Sequence, residues 1–142
     1  MANLQIHGRF MLGDQIGKLR GKIVLKRVLS SDPLRVEVTF EGSGKILGVD
    51  VNDFGTYTSQ VRPDGVIYGE GEGAFMTRDG EAVAWTGSGL GKFKEGGAVS
   101  YRGILYYKTA SQKLARLNTT PTVFEYEVDP NGETTTKFWE WK

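Results

Sequence analysis

Three dipeptides of the Asp-Gly or Asn-Gly type constrain the fold of this chain more than any other feature. They lie in "RPDGV" at 62–66, "TRDGE" at 77–81 and "DPNGE" at 129–133, each between segments of alternating polarity. Such a dipeptide is typical of a two-residue type I′ hairpin loop, in which both central residues need a positive φ. "KEGGA" at 94–98 is a fourth, glycine-rich turn. The chain is therefore predicted to be a meander of antiparallel strands.

The spacing of these turns predicts eight strands and no long amphipathic helix. Helical turns are predicted only at 12–17 and at 109–117, the second being the longest connection and a candidate lid. An even number of long strands favours a closed barrel, because closure removes the exposed edges of a flat sheet. We predict a single all-β domain over residues 1–142, an eight-stranded antiparallel up-and-down β-barrel. The predicted strands are 18–29, 35–47, 49–61, 65–77, 82–93, 98–109, 122–129 and 133–141.

Composition excludes several classes of function. The 142 residues are enough to bury a core without disulfides, and the chain contains no cysteine, which excludes thiolate metal sites and a cysteine nucleophile. The 18 basic and 17 acidic side chains are spread along the chain, so we expect no nucleic-acid and no membrane partner. No signal-peptide pattern precedes the strands, and a cytoplasmic location is expected. The single histidine, His7, has no matched partner, which predicts neither a metal site nor a catalytic triad.

The "TRDGE" turn also sets a register that points two glutamates inward. A two-residue loop there places Glu70 and Glu72 opposite bare glycine, on the face that also carries Trp85. Glycine at these inner positions predicts a partly hollow barrel, because missing side chains leave space for one small ligand. The side chains predicted to line this space come from six strands: Tyr57, Tyr68, Trp85, Tyr101, Tyr107, Tyr126 and Lys137.

Glu70 and Glu72 are the predicted catalytic residues. Burial disfavours the charged form of a carboxyl group, so its pKa rises toward neutrality and the group becomes a usable general acid or base. Lys137 is an alternative partner that would stabilise a buried carboxylate. A different interpretation stays open: alternating glycines also mark sharp coiling or a bulge, which would turn both glutamates to solvent or to the barrel rim.

Alternation assigns inner faces to the remaining strands. With a two-residue loop at the last turn, Tyr126 faces Lys137 inside the barrel. A three-residue loop at 95–97 places Tyr107 beside Trp85. The inner residues predicted for the first two strands are Leu19, Ile23, Leu25, Leu29, Val36, Val38 and Phe40.

The stretch "GEGEGAFMTRDGEAVAWTGSGLGKFKEGGAVSYRG" at 69–103 carries glycines at alternate strand positions before and after a short turn. It resembles the central hairpins of the allene oxide cyclase and dirigent-like barrels, over about residues 65–107. The resemblance implies a lipocalin-like or allene oxide cyclase-like barrel that forms small oligomers. It also implies that the barrel interior binds a hydrophobic molecule and guides cyclisation or coupling with no redox cofactor. The matching residues are Thr86, Gly87, Gly89, Gly91, Phe93 and Gly97.

Three functions follow from these observations. The first is a barrel that binds a small hydrophobic molecule in its lumen, oriented by tyrosine hydroxyls and a glutamate. The second is a cyclase or isomerase without a cofactor, in which Glu70 or Glu72 is the acid or base. The third is a ligand-free barrel that forms homo-oligomers, for which an exposed Trp139 or Trp141 would be the subunit contact.

Overall fold

A computed structural model describes residues 12–142, which form a closed barrel of eight antiparallel strands. Each strand pairs with the next in the chain, and β1 pairs with β8 to close the barrel, which confirms the predicted fold class. The predicted helical turn at 12–17 is wrong, because these residues begin β1 and pair with β8. The strands are β1 (Leu12–Ser31), β2 (Leu34–Ile46), β3 (Val49–Val61), β4 (Ile67–Thr77), β5 (Ala82–Phe93), β6 (Val99–Thr109), β7 (Thr122–Val128) and β8 (Glu133–Trp141).

The Asp-Gly and Asn-Gly turns have loops of three residues rather than two. In the β4–β5 turn the backbone N–H of Thr77 donates to the carbonyl of Glu81 at 2.9 Å, so Arg78, Asp79 and Gly80 form the loop. Gly80 has a φ of 85°, whereas Asp79 has no positive φ. This is the pattern of a type I turn followed by a left-handed glycine, and the type I′ prediction is wrong.

The extra loop residue shifts the register of two hairpins by one position. On β4 and β5 the observed pairs are Glu72 with Thr86 and Glu70 with Ser88. On β7 and β8, Lys137 pairs with Glu125 instead of the predicted Tyr126. A one-residue slip moves every side chain to the opposite face, so the predicted inward positions of Glu70, Glu72 and Lys137 are wrong. The β5–β6 hairpin has the predicted three-residue loop, and its pairing of Trp85 with Tyr107 is confirmed.

Replacement of Gly80 by alanine is expected to lower the free energy of unfolding by about 1 kcal/mol, because an L side chain is strained at its φ of 85°. Urea unfolding of the two proteins measures this difference. The matched variant is Arg78→Ala in the same loop, where the side chain is exposed and the expected change is within about 0.5 kcal/mol. Equal stability of wild type and Gly80→Ala would contradict the observed turn geometry.

The first strand departs from simple alternation because it contains two bulges. The register with β2 shifts between Ile23 and Leu25 and again between Val28 and Ser30. Leu19 points inward as predicted and is 3% exposed, but the bulges turn Leu25 outward, where it is 60% exposed. Leu29 is also outside, at 38%. Pairing of β1 with β8 ends at Lys22, so from Ile23 onward β1 pairs with β2 alone.

The long connection between β6 and β7 closes one end of the barrel. It contains a short 3₁₀ helix, Ala115–Thr119, which overlaps the end of the region 109–117 predicted to be helical or a lid. Leu114 and Leu117 are fully buried and pack into the larger of two core clusters, beside the inner residues of that end. The guanidinium of Arg116 pairs with the buried carboxylate of Glu140 on β8. Within residues 12–142, no helix is long and apolar enough to cross a membrane.

Candidate functional site

A cavity of about 70 Å³ lies in the barrel interior, lined by residues of both core clusters. Its walls are mainly aromatic rings, and no lysine or arginine among the described residues lines it. Two acidic residues border it: Asp53 from β3 is buried, whereas Glu70 from β4 is exposed. The lining residues include Phe40, Asp53, Tyr57, Trp85, Tyr101 and Tyr126.

Asp53 is a buried carboxyl group in an almost wholly apolar environment. It is 4% exposed, and the indole N–H of Trp85 donates to its Oδ1 at 2.9 Å. Burial raises the pKa of Asp53 to about 7, and the hydrogen bond from Trp85 offsets only part of this effect. The carboxyl group therefore exchanges its proton near neutral pH, as a general acid or base must.

The sequence reasoning missed Asp53, although a signal for it exists. Side chains two and four positions apart on a strand share a face, and Tyr57 is predicted to point inward from the same strand. Asp53 is four positions before Tyr57, and Gly55 lies between them. The intervening Phe54 is half exposed, so polarity on this strand is inverted relative to a simple core pattern. Alternation from Tyr57 could therefore have predicted an acidic residue, Asp53, on the inner face.

Glycines on the inner wall provide space for aromatic rings rather than for a large hollow. A Cβ added to Gly91 would lie 2.7 Å from Cε1 of Tyr101, and a Cβ on Gly103 would lie 2.8 Å from Cε2 of Phe124. Both contacts are closer than real Cβ atoms show. The predicted empty space opposite the glycines is thus largely filled by these rings, which leaves the cavity of about 70 Å³.

The indole of Trp85 is the largest ring placed in this way. It lies against bare backbone at two positions on neighbouring strands, Gly55 on β3 and Gly73 on β4. Its N–H is fixed by Asp53, and its ring is 6.0 Å from that of Phe40, centroid to centroid. The two glycines therefore determine where the indole lies, and the indole determines the orientation of the carboxyl group.

Tyrosine hydroxyls form the polar part of the other cluster. The hydroxyl oxygens of Tyr57 and Tyr126 are 3.2 Å apart, and that of Tyr101 lies 2.6 Å from Oγ of Ser59. Burial raises the pKa of all three tyrosines above the ordinary value, so they are uncharged near neutral pH. They can donate hydrogen bonds to a ligand, and none of them adds charge to the cavity.

The structure divides the predicted site residues into two groups. Five aromatic residues lie inside the barrel as predicted, and Tyr107 among them binds the hydroxyl of Thr122 at 2.6 Å. Glu70 and Glu72 are exposed on the outer wall, where the hydroxyl of Tyr68 donates to Glu70 at 3.0 Å. Neither glutamate is buried, and the predicted acid–base role of both depended on burial. The inner group is Tyr57, Trp85, Tyr101, Tyr107 and Tyr126; the outer group is Glu70, Glu72, Tyr68 and Lys137. His7 lies outside the described residues.

An exposed groove lies on the outer wall, across from the cavity. Tyr68, Glu70, Glu72 and Tyr106 form its sides. Gly71 and Gly87 of β4 and β5 border both the cavity and the groove, so bare backbone separates the two spaces there. Glu72 borders the groove alone, whereas Glu70, whose side chain is exposed, borders both spaces.

No model of a known protein family matches this chain, and no curated protein matches it. Membership of the allene oxide cyclase and dirigent-like family therefore stays a prediction.

Solved structures of other proteins share the fold. A protein of unknown function from Clostridium acetobutylicum has a TM-score of 0.79 at 17% sequence identity, over 91% of this chain and 97% of its own. A β-barrel-like protein from Acinetobacter baumannii has a TM-score of 0.76 at 14% identity, over 92% of this chain and 95% of its own. An enzyme from Penicillium herquei has a TM-score of 0.67 at 15% identity, over 93% and 96%. At these identities the likeness shows the fold alone.

Proposed function

We propose that this barrel binds a small, mainly apolar molecule in its central cavity. One observation carries the proposal: an aromatic-lined cavity contains the buried carboxyl group of Asp53, and within residues 12–142 the Trp85 indole is the one hydrogen-bond donor to it. Buried polar groups normally satisfy their hydrogen-bonding capacity, so the second oxygen of Asp53 favours a ligand with a polar group at that point. The tyrosine hydroxyls supply further donors.

The size of the cavity limits the ligand. One water molecule needs roughly 15 Å³ of such space, and the cavity of about 70 Å³ is nearly five times larger. A cavity of roughly 150 Å³ holds benzene, so a one-ring ligand requires the lining tyrosine rings to move. Its apolar edges would then lie against Phe40 and Tyr126, with one polar group toward Asp53.

The proposal is tested with phenol as a probe, because phenol is a single ring with one hydroxyl group. Titration into the protein is expected to shift the indole N–H signal of Trp85 in the proton NMR spectrum. Trp139 and Trp141 are internal controls, because the register places them on the outer face of β8. A Trp85→Phe variant assigns the signals. An unchanged Trp85 signal at saturating phenol would contradict lumen binding.

Two carboxyl-to-amide substitutions distinguish binding at the inner carboxyl group from binding at the outer wall. Asp53→Asn is expected to weaken phenol binding about tenfold, because a hydrogen bond to a charged group becomes one to a neutral amide. Glu72→Gln removes a charge on the outer wall and is expected to leave the dissociation constant unchanged. Equal weakening by both substitutions would place the probe outside the lumen and contradict the proposal.

A second candidate function is a ligand-free barrel that assembles with copies of itself. It is favoured by exposed apolar residues at two places on the outer surface. Leu25 and Val28, where β1 pairs with β2 alone, are 60% and 65% exposed, and Trp141, paired with Leu12 at the other end of β1, is 51% exposed. Patches of exposed apolar side chains are typical of contact surfaces. Light scattering on the purified protein measures its mass in solution. An oligomer that dissociates on Leu25→Glu substitution supports this function, and a monomer contradicts it.

A further inference from the structure

We propose that the central cavity is also a catalytic site, in which Asp53 moves a proton at a carbon atom next to a carbonyl group while the tyrosine pair Tyr57–Tyr126 stabilises the carbonyl oxygen. This inference deepens the proposed lumen-binding function and rests on it. The substrate class is a compact apolar ketone or aldehyde that can enolise.

The base and the oxygen-binding groups line the same cavity. Asp53 and Tyr57 both point inward from β3, and the hydroxyl of Tyr126 from β7 lies 3.2 Å from that of Tyr57. Each hydroxyl has one proton, and only one of the two is used in the bond between them. The other remains available for a ligand oxygen. Enolisation requires a base and a hydroxyl donor that can both reach one bound carbonyl compound, and both groups line this small cavity.

The indole of Trp85 makes Asp53 a positioned base. It holds Oδ1 at 2.9 Å and lies against bare backbone at Gly55 and Gly73, so the carboxyl group cannot turn away from the cavity without moving the ring. Oδ2 then faces the ligand. Trp85 is therefore a positioning residue, and Asp53 is the group that touches the reacting atoms.

The reaction balances without an oxidant or a reductant. The carboxylate of Asp53 removes a proton from the carbon, and the C–H electron pair forms a carbon–carbon double bond as the carbonyl oxygen gains negative charge. A tyrosine O–H stabilises that oxygen by a hydrogen bond. The carboxylic acid exchanges its proton with water and then gives a proton to the same carbon, or it transfers the original proton to a conjugated carbon. The net result is exchange of a hydrogen or migration of a double bond.

Electrostatics in the cavity suit this step. Burial raises the pKa of Asp53 to about 7, so the carboxylate is both present and appreciably basic near neutral pH. The titratable groups that face it from the neighbouring strands are tyrosines, whose raised pKa values keep them uncharged. A single ionisation is therefore expected to control the rate. These tyrosines are Tyr57, Tyr101, Tyr107 and Tyr126.

The test follows exchange of the protons next to the carbonyl of cyclopentanone in deuterium oxide, by proton NMR. Asp53→Asn is expected to slow the protein-catalysed exchange about 100-fold. Tyr126→Phe, which retains the ring and removes the donor, is expected to slow it by a similar factor. Glu72→Gln, a carboxyl variant on the outer wall, is expected to match wild type. The wild-type rate is expected to rise with pH through a midpoint of about 7.

The outcomes distinguish this inference from the binding function beneath it. If phenol shifts the Trp85 signal but wild type and Asp53→Asn exchange cyclopentanone equally, proton transfer is overturned and binding stands. If phenol does not bind and no exchange is catalysed, both are overturned. The pH profile needs only wild-type protein, so a poorly folded variant does not weaken the test. A rate without a transition near pH 7 would overturn the role of Asp53.

Discussion

Replacement of Asp53 by asparagine is expected to change the free energy of unfolding, relative to wild type, more favourably above about pH 7 than at low pH. Burial raises the pKa of this group in the folded protein from 3.8 to about 7. The folded state therefore binds the proton more tightly than the unfolded state does. The stability that comes from this proton is fully present below pH 3.8 and is lost as the pH rises through about 7.

The size of the effect follows from the width of that window. A difference of about three pKa units, at about 1.4 kcal/mol each, corresponds to a loss on the order of 4 kcal/mol between the two ends. Asparagine cannot ionise, so the variant lacks this loss. Its amide can leave one donor unpaired, at a cost of about 1–3 kcal/mol, but that cost is the same at every pH.

Urea unfolding of both proteins across the window measures the prediction. The difference in free energy of unfolding between Asp53→Asn and wild type is expected to change by several kcal/mol between about pH 4 and about pH 8, in favour of the variant. Glu72→Gln, which alters an exposed carboxyl, is the control for general effects of charge. A difference that stays constant with pH would mean that Asp53 ionises in the folded protein as freely as in the unfolded chain.

Replacement of Gly55 by valine is expected to destabilise the barrel by about 3 kcal/mol, as over-packed cores do. A Cβ at this position would lie 2.7 Å from Cη2 of Trp85 and 3.0 Å from the backbone oxygen of Glu72. The indole cannot move aside without breaking its bond to Asp53. The sign of the change in stability is diagnostic, because strand propensity alone predicts that valine stabilises a strand position relative to glycine.

A double-mutant cycle tests the cause of this effect. Ala84→Val, on the exposed face of β5, is the matched control and is expected to change stability by less than about 0.5 kcal/mol. Trp85→Leu removes most of the ring that position 55 contacts, so Gly55→Val is expected to cost much less in that background. An equal cost with and without the indole would show that Gly55 serves backbone geometry instead of ring packing.

Strand positions could be predicted from the sequence because alternation and turn residues act locally. The bounds predicted for β3, β5 and β8 agree with the structure. The faces of β4 and β8 could not be predicted, because Asp-Gly and Asn-Gly suit both a two-residue loop and a three-residue loop that ends in a left-handed glycine. That single ambiguity turned Glu70 and Glu72 from the lumen to the outer wall.

The candidate site was predictable only in part for a related reason. Aromatic residues on the inner face follow from alternation, and Tyr57, Tyr101 and Tyr126 lie where the sequence places them. The sequence shows which positions lack a side chain, but it does not show which neighbouring ring occupies that space. The ring of Trp85 reaches Gly55 two strands away, and such a contact depends on barrel curvature.

The central claim is that aromatic rings pack against the inner glycines and that the buried carboxyl group of Asp53 faces the small apolar cavity that remains. Carbon NMR titration of the Asp53 side-chain carboxyl, assigned with the Asp53→Asn variant, tests this claim most directly. A midpoint of about 7 is the predicted result. A midpoint near the ordinary value of 3.8 would place the carboxyl group in water and contradict both the binding site and the proton transfer derived from it.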